Sequence, residues 1–297
     1  MTNDLGRSVV SPGSIVVGVD AHDTWQDAAD WAADQAALER RAITRVHVAE
    51  PAELLWHDTQ GRDRRIGVPD GPSVADQLLE QARARVAARQ PDVPVRTTLC
   101  GGGVRGSLHT TAREARLLVI GSRQHRTLWS VLFGTVGSSV AQRPPCPTVV
   151  VHGAPNRPSR QGGVAGIDDT EHSRPVLRFA FQQASWRHLP LTIVHVALEP
   201  VYGAPTDDPE QHLEMAEAIA GLREEYPDVV VHTTLERGEP SETLLRVSRG
   251  ADLIVLGTHH RHPISELQFG SVVAPVVERA TCPVAVVPDA PARVARA

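Results

Sequence analysis

The stretch SIVVGVD, Ser14–Asp20, returns later in the chain as GVAGIDD, Gly163–Asp169, so that Asp20 pairs with Asp168 at a separation of 148 residues. The same offset pairs His47 of RVHVA with His195 of IVHVA. Further along the offset becomes 136: Thr97 pairs with Thr233, Gly121 with Gly257, Gly134 with Gly270 and Cys146 with Cys282. A single 12-residue deletion between Val196 and Thr233 reconciles the two sets, and places the loss in the loop after HVALEP. The chain is a tandem duplication, and its architecture is whatever one copy encodes, built twice.

Within a copy, short β-rich runs alternate with helical patterns, which implies a parallel sheet with crossover helices. The first copy reads as strands at 14–20, 43–49, 94–99, 117–121 and 147–151. Helices are expected at 24–40, 73–89, 106–115 and 135–142. Trp25, Ala28, Ala29, Ala32 and Ala36 give the first helix one apolar face, matched in the second copy by Val176, Phe179, Ala180 and Ala184. The fourth strands, LLVIG and LIVLG, are continuous apolar runs, as strands covered on both faces should be. The fold class is therefore α/β: two tandem doubly wound domains, each with a five-stranded parallel sheet flanked by helices. The boundaries expected are 1–152, a Pro/Gly/Arg-rich linker at 153–162, 163–288 and a tail at 289–297, with residues 1–13 frayed.

Composition removes several function classes. A formal charge of −5 over 297 residues gives no basic face for nucleic acid. No apolar run approaches the length of a membrane span, and the N-terminal residues carry no secretory h-region, so a cytoplasmic protein is expected. All 30 basic residues are arginine, which excludes a Walker-type phosphate lysine, a pyridoxal Schiff base and any catalytic lysine. Three scattered cysteines make neither a disulfide framework nor a zinc cluster.

Open parallel sheets bind ligands beyond the carboxyl ends of strands where strand order reverses. Asp20 ends the first strand and Gly121 the fourth; if those strands are neighbours, both residues line that crevice. Gly134-Thr135 then opens a helix whose amides and dipole favour an anion. An acid for ribose or metal, a glycine for close approach and a helix start for phosphate form a nucleotide-shaped set. The second copy repeats it as Asp168, Gly257 and Gly270-Ser271.

Other patterns have simpler readings. GGGVRG, Gly101–Gly106, has the G-x-G-x-x-G form, but the expected acid at the end of the next strand is absent; a glycine-rich turn is the plainer account. THHRH, Thr258–His262, lacks a supporting ligand cluster and reads as a loop. His47 and His195 read as hydrogen-bonded core histidines, and Cys146 and Cys282 as small core residues. No paired carboxylates and no nucleophile elbow are present.

Through IVVGVD, VHV, LLVIGS…FGTVGSS and CPTVVV, and again through VAGID, VHV, LIVLGT…FGSVV and CPVAVV, the chain resembles the universal stress proteins in their tandem form. Nucleotide-binding members carry Gly-x2-Gly-x9-Gly-Ser/Thr after strand four. The spacing is intact here, but Gln124 and His260 stand where the second glycine is expected. Each brings a Cβ that could strain the loop or fill the pocket, or a side chain that could donate to phosphate instead.

The resemblance implies a strand order of 3-2-1-4-5 and an antiparallel pairing of the two last strands into an internal pseudo-dimer, with further homo-dimerisation open. It also implies that Asp20 and Val48 hold adenosine, and that Gly121, Gly134, Thr135 and Val136 hold phosphates. Gly18, Val19, Ile120, Gln124 and Gly137 flank these and complete the first candidate set. Gly166, Ile167, Asp168, Val196, Gly257, His260, Gly270, Ser271 and Val272 form the second. The first copy keeps Gly137, Ser138 and Ser139 around its helix start, whereas Pro275 removes an amide donor in the second, so the first is the better-equipped phosphate site.

The cofactor implied is ATP, with magnesium where it accompanies the triphosphate. The function expected is a regulatory, adenine-nucleotide-binding module, not an enzyme beyond slow ATP hydrolysis. Two alternatives stand beside it. One is a nucleotide-free scaffold acting by protein association; the other is an adenine-nucleotide hydrolase-like enzyme, for which the chain lacks an SGGxDS-type loop.

Overall fold

The computed structural model describes residues 10–20, 24–49, 55–57, 63–65, 74–101, 103–122, 140–141, 143–153, 161–168, 170–197, 209–258 and 272–289. These fall into two compact units, the first running to Val140 and the second starting at Ala141.

In the first unit, β1 (Ile15–Val19) lies between β2 (Ile43–Ala49) and β6 (Leu117–Ser122), and β5 (Val95–Gly101) pairs with β2. All these pairings are parallel, giving the order 3-2-1-4 in the repeat's own strands. The helices are α1 (Trp25–Glu39), α2 (Val74–Arg89) and α3 (Val104–Ala112). The third starts and ends a little before its expected range. Its start follows from Gly103, which takes an extended conformation at the N-cap. Between Ala49 and Val74 lies a hairpin, β3 (Leu55–His57) with β4 (Asp63–Arg65), which the sequence reading missed. The second repeat has 11 residues between Ala197 and Pro209 where the first has 24 between Ala49 and Val74, so the hairpin lies in the longer of the two connections.

The second unit shows the full order. From one edge run β10 (Val231–Arg237), β9 (Leu191–Ala197), β8 (Gly163–Ile167), β11 (Leu253–Gly257) and β12 (Val284–Val287), all parallel, which is 3-2-1-4-5. The last strand of the first repeat, β7 (Thr148–His152), joins this unit and runs antiparallel to β12, with Val150 opposite Val284. Four helices accompany these strands: α4 (Ser173–Arg187), α5 (Pro209–Glu225), α6 (Pro240–Val247) and α7 (Val273–Arg279).

The cores follow the expected periodicity. Trp25, Ala28, Ala29, Ala32, Ala33 and Ala36 are buried along α1, as are Val176, Leu177, Phe179, Ala180, Phe181 and Ala184 along α4. Both helices end in the same way, with a non-glycine residue in the left-handed region: Arg40 at φ 51° and His188 at φ 52°, 148 positions apart. The described leader is packed rather than frayed from Val10 onward. Val10 is buried, and the Gly13 amide donates to the Glu114 carbonyl at 2.8 Å. Among the described residues no helix is long and apolar enough to cross a membrane.

Candidate functional site

The parallel pairing of β1 with β6 and of β8 with β11 supplies the adjacency that the crevice requires. Continuing the β1–β6 register from Val17–Val119 sets Gly121 beside Val19 and Ser122 beside Asp20. The β8–β11 register sets Gly257 beside Ile167 and Thr258 beside Asp168 in the same way. Each first-strand acid therefore stands at the carboxyl end of the sheet, next to the end of the fourth strand.

The glycine at the end of the fourth strand in the first repeat serves packing. A Cβ on Gly121 would lie 2.2 Å from the Thr24 carbonyl oxygen, because the turn into α1 crosses directly over it. Gly18 and Gly166 are held by the helix on the other face. A Cβ on Gly18 would meet Ile120 at 3.1 Å, and one on Gly166 would meet Leu244 and Leu256 at 2.9 Å each. These are the same contacts in both repeats, since Leu108 and Ile120 correspond to Leu244 and Leu256. Val19, Val48 and Ile120 are buried, whereas Ile167 and Val196 are half-buried.

His47 is buried, and its Nδ1 lies 2.8 Å from the Val19 carbonyl oxygen. This core histidine ties β2 to the residue before Asp20. His195 occupies the same register position, opposite Ile167.

The two acids differ in what orients them. Asp168 Oδ1 accepts from the Thr170 hydroxyl at 2.6 Å, the Thr170 amide at 3.2 Å and the Ser173 hydroxyl at 2.8 Å. The Asp168 amide in turn lies 3.0 Å from Ser173 Oγ. This web fixes the carboxylate's direction at the mouth of the turn into α4. In the first repeat the sequence puts His22 and Trp25 in the places of Thr170 and Ser173, and Trp25 is buried in the core. Asp20 is exposed.

A further difference lies at the helix after the third strand. In the second repeat Glu239 caps α6, accepting from the Ser241 amide at 3.1 Å and the Glu242 amide at 2.7 Å. Burial opposes ionisation there, but the two amides, the Ser241 hydroxyl and Arg279 hold the carboxyl below its usual range. In the first repeat Gly103 occupies the corresponding cap and offers no side chain. Sequence reading missed Glu239, although a carboxylate three residues before another acid at a helix start is a legible cap.

Gln124, Gly134, Thr135, Val136 and Gly137, with His260, Gly270 and Ser271, lie outside the described residues. Of THHRH, only Thr258 is described. Val272 is half-buried at the start of α7. Among the described residues no group of three or more His, Cys, Asp or Glu could hold a metal. Cys282 is buried, which pushes its thiol up to about 11 and leaves it a core residue without nucleophilic character at neutral pH.

Two repeats of a parallel, helix-flanked sheet, each with an acid at the end of its first strand, define a tandem α/β protein. The universal stress protein family model matches residues 13–152 and again residues 164–288, and the chain belongs to that family. It is 32% identical to a universal stress protein of Mycolicibacterium smegmatis, over 92% of this chain and 96% of that one. It is 30% identical to a universal stress protein of Mycobacterium tuberculosis over the same shares. In fold it is similar to the crystal structure of a universal stress protein from Archaeoglobus fulgidus, with TM-score 0.69 and 15% identity, covering 93% of this chain and 96% of that one.

Proposed function

We propose that the protein is a cytoplasmic regulatory module that binds an adenine nucleotide at the carboxyl end of its first strands, and that it is not an enzyme. The observation that carries this reading is the recurrence, in both repeats, of an acid at the end of the first strand beside the end of the fourth. A carboxylate fixed there can accept from ribose hydroxyls, and the apolar Val48 or Val196 on the neighbouring strand can face a base. The fixed carboxylate of Asp168 suits the ribose end in the second repeat, because orientation is paid before the ligand arrives. The hydroxyls at Thr135, Ser138 and Ser139 suit the phosphate end in the first. ATP, with magnesium as its counter-ion, is the ligand proposed. With one acid per repeat and no assignable base, hydrolysis would be slow.

A second reading, a nucleotide-free scaffold, is favoured by Gln124 and His260, which stand where the second glycine of the motif is expected. Native mass spectrometry of the purified protein separates the two: co-purified adenine nucleotide is expected. Calorimetric titration with ATP of Asp20→Ala and Asp168→Ala then assigns the repeats. Each active site should lose roughly tenfold in affinity, the size of one lost charge-assisted hydrogen bond. No bound nucleotide and no heat with ATP, ADP or AMP would leave the scaffold reading.

A further inference from the structure

Three of the most exposed large apolar side chains lie on one edge of the second unit: Leu213 at 60%, Val230 at 61% and Leu235 at 63%. That edge is β10, which among the described residues is hydrogen-bonded on one side only, to β9. Between β10 and α5 runs a groove of about 380 Å³ lined by Ala216, Ile219, Ala220, Arg223 and Thr233. Unpaired edges with apolar side chains are places where another strand adds.

We infer that a second copy of this chain docks here, β10 against β10, in an antiparallel two-fold pairing centred on Thr234. The patch is complementary to itself. In that register Leu235 of one copy lies opposite Thr233 of the other, and Thr233 is the strand wall of the groove. Thr233 and Leu235 share a face, so each leucine enters the partner's groove over the small side chains of Ala216 and Ala220. One patch thus supplies both knob and hole, which a two-fold interface requires. On the other face His232 comes opposite Glu236, an imidazole beside a carboxylate, and this happens twice. Glu236 is already held at 2.8 Å by Arg246 and so is fixed in place. Thr234 meets itself on the axis, a favourable cross-strand pair.

The first repeat argues for the choice of edge. Its corresponding strand exposes Leu99, but Glu80 stands in the place of Ala216, and Asp76, Gln77 and Gln81 line the helix face. A cavity of the same size, about 380 Å³, lies on that helix, but its lining is mainly carboxylate and amide, so an apolar knob would bury against polar groups there. The same register would set Arg96 opposite Cys100, with no charge matched.

Sedimentation velocity of the full chain over a wide concentration range tests the pairing. A reversible dimer is expected, and Leu235→Glu and Ala216→Glu should each weaken it by roughly a hundredfold, whereas Leu99→Glu should not. Because Thr234 lies on the axis, Thr234→Cys should give a covalent dimer on mild oxidation that the wild type and Thr98→Cys do not give. A wild type that stays monomeric would overturn the inference, whether residues 198–208 or a foreign strand covers the edge instead. So would a dimer that survives Leu235→Glu without cross-linking at position 234.

Discussion

The two repeats share the order and register of their first four strands and differ in the polar groups set into them. Both first helices end on a left-handed non-glycine residue, and both first strands carry a glycine under the same pair of apolar side chains. Against that shared frame, Asp168 is held by the hydroxyls of Thr170 and Ser173, where the first repeat has His22 and Trp25, and Glu239 caps a helix that Gly103 leaves open. The sharpest contrast is on the second strand. The second repeat has Ile193, fully buried; the first has Arg45, 1% exposed, with its Nε and Nη1 making no hydrogen bond. The close approach at Gly18 and Gly166 is the same in both repeats while buried polarity differs, so the repeats are alike as scaffolds and unlike as sites.

The largest effect should come from breaking the first repeat's closest backbone approach. Gly121→Ala forces a Cβ against the Thr24 carbonyl, which is backbone and cannot rotate away. A loss of roughly 3 kcal/mol in urea unfolding is expected. Gly103→Ala is the control: a Cβ there meets nothing within 4 Å, and stability should hardly change. Equal losses at the two positions would mean that backbone approach is not what the glycine serves.

Next comes the exchange of one repeat's residue into the other. Burial pulls the Arg45 guanidinium down to about 10, against the attraction of Glu80, and among the described residues only Nη2 finds a partner, the Thr97 hydroxyl. Glu80 itself is held by Arg83 at 2.6 Å on the surface, where such a pair is worth little. Replacing a buried, half-satisfied charge by an apolar side chain of the twin repeat should stabilise, so Arg45→Ile is expected to raise stability by about 2 kcal/mol. A fall in the unfolding midpoint would show that the guanidinium is compensated by groups beyond Thr97, and the contrast with Ile193 would lose its meaning.

The fold was legible in the sequence because its signals are local and were written twice. Apolar runs marked the strands, alanine stripes marked α1, and the shift of offset from 148 to 136 marked the hairpin-bearing loop of the first repeat. The site was legible only as a frame. Asp20 and Asp168 look the same in a motif, and only the turn that follows distinguishes them, through residues two and five positions on. Gly121 was read as an opening for a ligand, but the contact with Thr24 arises between segments distant in sequence. Arg45 was not singled out at all, because RVHVA alternates like any strand and burial of its first residue depends on α2 lying over it.

His152 carries a further asymmetry, since the second repeat has Pro288 in its place. The imidazole is 1% exposed, with Nε2 at 2.5 Å from the Val277 carbonyl and Nδ1 at 3.2 Å from that of Cys282. Burial lowers its pKa below 6.5, and the two carbonyls only partly oppose this. The folded protein therefore holds it neutral at pH values where the unfolded chain begins to bind a proton. Its contribution is fully present above about pH 6.5 and declines as the pH falls from there towards the folded value. Thermal melts from pH 8 to pH 5 should show a steeper acid loss for the wild type than for His152→Gln. Parallel curves would remove His152 from the pH response.

The smallest effect tests what the repeats share. Arg40 and His188 each take φ near 50°, where a Cβ crowds the carbonyl, and both helices still close by the same pattern: the amides of Arg41 and Leu189 donate to Ala36 and Ala184 at 2.9 and 3.0 Å. Glycine would adopt that conformation without strain, at the cost of a more flexible unfolded chain. The two terms oppose each other, leaving a gain of about 0.5 kcal/mol for Arg40→Gly and for His188→Gly alike. The informative quantity is the difference between the two variants. It should be close to zero if the caps are equivalent, since the backbone amides of Arg40 and His188 bond to corresponding carbonyls, Ala36 and Ala37 in one and Ala184 and Ser185 in the other. A gain confined to one repeat would show that the duplicated frame has begun to diverge even in its backbone.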